Sequence, residues 1–414
     1  MSTEDGALSI KQNMLWNSVG SLTNLGCQWV ITVLAVRLAS DYEVAGVYSL
    51  AMSVFNMFAQ VAQYRMYTVQ ISDVRKDNSV GEYFTFRLIT VGASLVVLTL
   101  YALATCRIGA LLAIVLYAIY KSAGLVIDVM HASDQVGHRM DYIGKSLVMQ
   151  GVCSLVSFVV VFGAFGSLEG ALVLMAVSTA AIGMFYDYPR SSKIDPIKLG
   201  ISFEKTKSLL LGCLPIVLAG AAAAAAPSIP RQYLSWEMGD SALGIYASVA
   251  APVAIIQMGA TYIYNPLLSY LVERYLDKNR QSFNSLIRKV VLGILAVGIA
   301  CSVALLFVGK MLLVLLYGES IAEYVYLLQP MILCAFLTGL AWFINDLLVA
   351  LKNYKGVFIG SASSLVSAMA VMVSCVAVFG LNGVTVANII SNVVCLAYQS
   401  VVLARQARRW FASV

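Results

Sequence analysis

Charge is what this sequence has least of. Only 12% of its 414 residues are Asp, Glu, Lys or Arg, where a soluble domain carries about a quarter. Histidine is nearly missing as well: there are two, His131 and His138, and no HExxH. No GxSxG elbow, Walker A lysine motif or cluster of carboxylates on an external loop is found. The chain therefore reads as a non-enzyme, and His131-Ala132-Ser133-Asp134 is the one group a membrane enzyme could use. The eight cysteines all sit in or beside apolar runs with no CxxC, so they read as small buried hydrophobes rather than metal ligands or disulfides. Proline is confined to one region, Pro189 to Pro330. A net charge of +6 gives no case for nucleic acid, because loop placement explains it.

Apolar length is what the chain has in abundance. It is 60% hydrophobic, and runs of roughly 20 residues recur from end to end, enough to cross a bilayer each time. The expected fold is an all-α polytopic membrane protein with about 12 transmembrane helices in two six-helix lobes. The spans are placed at 12–38, 44–71, 82–106, 108–131, 142–165, 168–187, 207–236, 242–272, 283–308, 325–351, 355–379 and 381–405. Met311–Tyr317 is read as a short surface or re-entrant piece. The lobes are 1–190 and 207–414, joined by a cytoplasmic linker, 191–206. Glu4 and Asp5 stand where a signal peptide would be basic, so the first span is read as retained. Lys and Arg gather on one side, in Arg75–Lys76, Arg190–Lys207, Arg274–Lys289, Lys352–Lys355 and the end Arg405, Arg408, Arg409. The positive-inside rule then puts both termini in the cytoplasm. Arg37-Leu38-Ala39 followed by Gly46–Ala51 is echoed by Arg231-Gln232-Tyr233 followed by Gly244–Val249. With six spans per half, such repeats run in the same direction.

Three patterns inside the spans point to a site. Span one carries Asn13, Asn17, Ser21, Asn24, Gln28 and Thr32 at helical steps, and span two carries Ser49, Ser53, Asn56, Gln60, Gln63 and Tyr67. Stripes this long imply a hydrated cavity, or interhelical hydrogen bonds. The near-membrane cations Arg65, Lys121, Arg37 and Arg231 outnumber nearby acids, which favours an anionic, phosphate-bearing ligand over simple snorkelling for the deeper pair, Arg65 and Lys121. Arg87, near the inner end of span three, suits snorkelling as well as function. Asp346 could bind a coupling H⁺ or Na⁺, with oxygens added by Asn388 and Asn392, or pair with a lysine such as Lys121. Span seven holds Pro215, Pro227 and Pro230 around the alanines Ala221–Ala226, and is expected to be a bent, movable hinge.

The chain resembles the Wzx-type flippases of bacterial polysaccharide and teichoic-acid repeat units, in the superfamily that holds the MATE exporters and the lipid II flippase MurJ. The resemblance rests on Asn17-Ser18-Val19-Gly20-Ser21, Gly46–Ala51, Tyr64-Arg65-Met66-Tyr67 with Gln70-Ile71-Ser72-Asp73, Arg139–Ser146, Leu316-Tyr317-Gly318 and Leu347–Lys352. It implies two six-helix lobes around a central cationic cavity in a bacterial plasma membrane. It implies no cofactor beyond a coupling Na⁺ or H⁺. The cargo it implies is an undecaprenyl-pyrophosphate-linked oligosaccharide of O-antigen, capsule or teichoic-acid type, moved to the outer leaflet by alternating access. Arg65, Arg37 and Arg231 are the positions that match the family's cavity arginines. The bilayer is a partner, and glycosyltransferases or the polymerase of the same pathway are further candidates. The alternatives are a MATE-like cation-coupled exporter of small molecules, and a membrane enzyme or scaffold of envelope polysaccharide assembly.

Overall fold

The structure, a computed structural model, describes residues 8–39, 41–73 and 77–412. Among these residues it is helical throughout, with no strand. The helices are α1 (Ile10–Arg37), α2 (Glu43–Gln63), α3 (Met66–Ser72), α4 (Val80–Thr105), α5 (Ile108–Val136), α6 (Met140–Phe165) and α7 (Leu168–Ile182). A π-helical turn (Gly183–Asp187) joins α7 to α8 (Tyr188–Ile194). The chain continues with α9 (Phe203–Met238), α10 (Asp240–Leu276), α11 (Arg280–Tyr317), a 3₁₀ segment (Glu319–Leu327), α12 (Leu328–Ala350), α13 (Tyr354–Phe379) and α14 (Asn382–Ala412). Eleven helical stretches among the described residues are long and apolar enough to cross a membrane, and bent α10 makes a twelfth. The chain is a multi-span membrane protein.

Helix starts follow from local chemistry. Ser9 with Gln12 and Ser79 with Glu82 form reciprocal capping boxes, so orphan N–H groups are satisfied before α1 and α4 begin. Asn279 and Asn353 accept from the backbone N–H groups of Ser282 and Gly356 at the starts of α11 and α13. The turn between α6 and α7 is made by Gly166 at φ +64°, a conformation that costs glycine little.

The chain divides into two compact units, Met1–Val217 and Leu218–Val414. In the first, α1 lies so tightly on α6 that a Cβ on Gly20 would stand 2.6 Å from the Gly144 backbone. The stretch 195–202 is not a free tether. It runs over the start of α4, where a Cβ on Gly81 would collide with the Lys198 carbonyl, and Gly200 N–H donates to Thr85 Oγ1 at 2.9 Å. Lys205 then pairs with Glu82 at 2.9 Å. In the second unit the core gathers Tyr264, Leu271, Val290, Ile294, Phe343 and Leu347.

Three expectations are corrected. Span two is not one helix: Tyr64 (φ +45°) and Arg65 (φ +58°) are both left-handed and split it into α2 and α3. Met311–Tyr317 is not a separate piece but the last two turns of α11, which runs unbroken for 38 residues. Span seven, expected to be bent at Pro215, Pro227 and Pro230, is the continuous 36-residue helix α9. Between the prolines Ser228 Oγ donates to the Ala224 carbonyl at 2.8 Å. The strong bend lies in the next helix, where 240–254 and 259–276 meet at 43°. Arg75 and Lys76, and Glu4 and Asp5 at the start, lie outside the described residues.

Candidate functional site

Lys121 sits at the midpoint of α5 and is half-buried. An ammonium at that depth is costly and is tolerated where partners or a ligand compensate it. Its Nζ donates to Gln28 Oε1 of α1 at 3.0 Å and lies 5.0 Å from the Tyr120 ring centre and 5.7 Å from that of Tyr117. Gln28 in turn donates through Nε2 to the Tyr120 hydroxyl, which donates to Ser154 Oγ of α6 at 3.2 Å. One hydrogen-bonded chain thus fixes the ammonium from three helices. Tyr117 is held edge-on by Tyr48 of α2 at 5.3 Å. The tyrosine faces are attractive to a cation, but they neutralise nothing. Among the described residues Lys121 has no carboxylate ion pair, and two of its three donors find no acceptor.

Arg65 stands at the break between α2 and α3. Left-handed φ at two adjacent non-glycine residues costs on the order of 1–3 kcal/mol each and persists where the surroundings impose it. Here they do: the Tyr64 hydroxyl donates to the Leu210 carbonyl at 2.9 Å, and the interrupted helix frees the Ala62 carbonyl, which accepts from Arg87 Nη1 at 3.2 Å and Thr90 Oγ1 at 2.9 Å. The Arg65 guanidinium faces Cys213 electrostatically, and its Nε is buried with no hydrogen-bond partner. Arg65 and Lys121 are therefore set among different neighbours and share no partner. Arg37, in the last turn of α1, is exposed and lies nine residues beyond Gln28, about 13 Å along the axis.

The amide stripes divide. Asn13 is glue, donating to the Leu8 carbonyl at 3.0 Å and accepting from Met140 N–H at 2.9 Å. Asn17, Asn24, Asn56 and Gln60 have no side-chain hydrogen bond within the described protein, although Asn24 packs against Gly151. Their side-chain amides keep their hydrogen-bonding capacity unused within the described protein.

The second unit holds Arg231 in a cluster of its own. Its guanidinium lies 5.9 Å from the Tyr246 ring centre and acts electrostatically on that tyrosine, while its Nε is buried and unpartnered. Thr385 of α14 donates to the Tyr246 hydroxyl at 3.3 Å. Further along the same face of α14, Asn388 is buried with a free Oδ1, and Asn392 donates to Thr338 Oγ1 at 2.9 Å. Asp346 is elsewhere on α12, accepting from the Tyr264 hydroxyl at 2.6 Å. Eight residues, about 12 Å of helix, separate it from Thr338, so the structure does not gather Asp346, Asn388 and Asn392 around one ion. No group of three His, Cys, Asp or Glu suited to a metal occurs among the described residues.

Sequence reasoning missed Tyr117, Tyr120 and Ser154. Tyr117 and Tyr120 could have been found, since they stand four and one residues before Lys121.

No family model matches the chain. It is 23% identical over 316 residues, 75% of its length and 78% of the other's, to the capsular polysaccharide biosynthesis protein CapF of Staphylococcus aureus. Among solved structures it is similar to an inward-facing multidrug resistance MATE transporter of the MOP superfamily, with a TM-score of 0.71, 14% identity and 96% of each chain covered. It is also similar to the lipid II flippase MurJ in an inward closed conformation, with a TM-score of 0.74, 11% identity and 94% of this chain and 87% of the other covered. The chain has the MATE and MurJ fold along nearly its whole length.

Proposed function

We propose that this chain is a flippase for lipid-linked oligosaccharides in a bacterial plasma membrane. Its cargo would be an undecaprenyl-pyrophosphate-linked repeat unit, moved from the cytoplasmic to the outer leaflet by alternating access. The observation that carries this reading is Lys121: a mid-span ammonium fixed in place by Gln28 and two tyrosines, with no carboxylate to neutralise it. Such a group attracts an anion, and a pyrophosphate is an anion that must cross the membrane with its lipid. Arg65 and Arg231, each with an unpartnered buried Nε, offer the same chemistry in their own units, and Arg37 offers it at the end of α1. Gln28 and the free amides Asn17, Asn24, Asn56 and Gln60 suit sugar hydroxyls. The likeness to CapF and to MurJ supports a lipid-linked saccharide as the cargo class.

The test is reconstitution of the full chain into liposomes with a fluorescent undecaprenyl-pyrophosphate disaccharide, following its movement between leaflets. Wild type should move it. Lys121→Gln should lose at least tenfold in rate, about 1.4 kcal/mol of barrier, while Lys121→Arg keeps most of it. Wild-type rates in Lys121→Gln would remove the charge site. The cation-coupled exporter is favoured instead if no lipid moves while an organic cation does, in a manner dependent on Asp346, the acid bonded to Tyr264.

A further inference from the structure

The first unit contains a second polar centre, separate from Lys121 and built from groups that titrate. His131 of α5 is 3% exposed. Its Nε2 lies 3.3 Å from Oδ1 of Asp187, whose side chain is fully buried. Asp187 Oδ2 accepts from Ser146 Oγ of α6 at 2.9 Å, and Ser146 accepts from Gln150 Nε2 at 2.9 Å. One turn beyond His131, Asp134 is wholly buried. One of its oxygens accepts from Ser191 Oγ of α8 at 2.8 Å, and the other has no partner at all. The backbone is shaped to assemble this centre. Asp187 closes the π-helical turn Gly183–Asp187, and Gly183 has no side chain because a Cβ there would stand 2.9 Å from Ile127 of α5. Single π-helical turns inside α-helices occur frequently at functional sites.

The charge balance is the argument. Facing His131 are Asp187 from the π-turn and Asp128 and Asp134 from its own helix. From α4 the buried Arg87 acts on Asp128, and from α3 Tyr67 hydrogen-bonds Gln135 and feels Asp128 and Asp134. At the start of α6, Asp141 is already paired with Arg139 at 2.9 Å and Lys145 at 3.5 Å. Setting that paired group aside, the buried Asp134 and Asp187 and the half-buried Asp128 share one buried guanidinium, that of Arg87. Buried charges are tolerated when paired, so the centre approaches neutrality only by holding protons, one of them on the imidazole.

We propose that His131, Asp187 and Asp134 form a proton-binding site inside the first unit, and that H⁺ loading there drives transport. This rests on the transport reading for its consequence but not for the site itself. A proton lost from His131 leaves uncompensated carboxylates against the π-turn, the element on which the change in charge acts. Asp346 with Asn388 and Asn392 is not needed for coupling in this scheme.

The chain has two histidines, so ¹⁵N-histidine labelling of the full-length protein in lipid nanodiscs gives two ring signals, assigned by His131→Gln. The exposed His138 serves as the internal reference. His131 should titrate apart from it, and Asp187→Asn should move its midpoint by about one pH unit or more and leave His138 alone. Ser146→Ala, a milder change, should move it less. A His131 ring that holds one protonation state from about pH 5 to about pH 9, or that titrates unaffected by both variants, overturns the site. In liposomes, an imposed pH gradient should speed lipid movement by wild type and leave His131→Gln at its gradient-free rate. Gradient-independent movement by wild type overturns the coupling. Absence of any lipid movement with His131 titrating as described would count against the cargo and not the site.

Discussion

Arg87 and Lys121 are two cations inside spans, and the structure gives them opposite work. Arg87 is 1% exposed and spends Nη1 on the carbonyl that the break after α2 leaves free. Asp128 lies near enough to feel its charge. Removing it strips a charged hydrogen bond from a buried acceptor and a counter-charge from a buried acid, so Arg87→Met should cost about 3 kcal/mol. Lys121 is an unpaired ammonium in a span, so Lys121→Met removes a cost rather than a support. Thermal unfolding of the purified variants, followed by size-exclusion chromatography, should show a clearly lower Tm for Arg87→Met and an equal or higher Tm for Lys121→Met. Two equal losses would make Lys121 a structural residue. Lys121 is legible in sequence because a lysine amid an apolar run has few explanations. Arg87 is not, since snorkelling and capping a distant carbonyl look alike until the break after α2 is seen.

At the scale of elements, span positions were readable because each apolar run ends in residues that stop or cap a helix, such as Ser79-Glu82, Ser167 and Asn353. The left-handed pair Tyr64-Arg65 was not, since neither residue is a glycine and the conformation is imposed by tertiary partners, Leu210 among them. The extension of α11 was missed because Gly309 weakens a helix and Lys310 interrupts the apolar run without either ending it, and Gly309 lets Leu328 pack close. The prolines of α9 misled in the other direction. Pro227 and Pro230 each withhold a donor from the turn before, yet the helix continues through both. A helix lacking two internal hydrogen bonds is softer than one that has them, which keeps the hinge role as a proposal with a clear test. Pro227→Ala with Pro230→Ala restores both donors and should raise Tm while slowing lipid movement severalfold. A raised Tm with an unchanged rate would assign the prolines to packing alone.

Both units repeat one device in their basic turns. The turn from α5 to α6 is three residues long with His138 at φ +54°; that from α10 to α11 is three residues with Lys278 at φ +54°; that from α12 to α13 is three residues with Lys352 at φ +58°. The turns at the opposite helix ends use glycine for the same purpose, at Gly166, Gly239, Gly318 and Gly380. The α5–α6 and α12–α13 turns occupy equivalent places in the two halves, which strengthens the internal repeat seen at Arg37 and Arg231. Turns that place basic residues in left-handed conformation, although glycine would fit more cheaply, indicate that the charge itself is wanted there. Arg139, Lys145, Arg274, Lys278, Arg280, Lys352 and Lys355 all lie within a few residues of these turns, and Trp410 of the basic end stacks on Tyr275 at 5.3 Å, with Lys278 Nζ 5.4 Å from the Trp410 ring centre. The positive-inside rule predicts that these basic turns face the cytoplasm. Fusions made in a bacterial host read it directly. Green fluorescent protein after Val414 should fluoresce, alkaline phosphatase placed at Gly166 or Gly380 should be active, and phosphatase placed at His138 or Lys352 should be inactive. The reverse pattern would invert the chain, and with it the direction of transport proposed above.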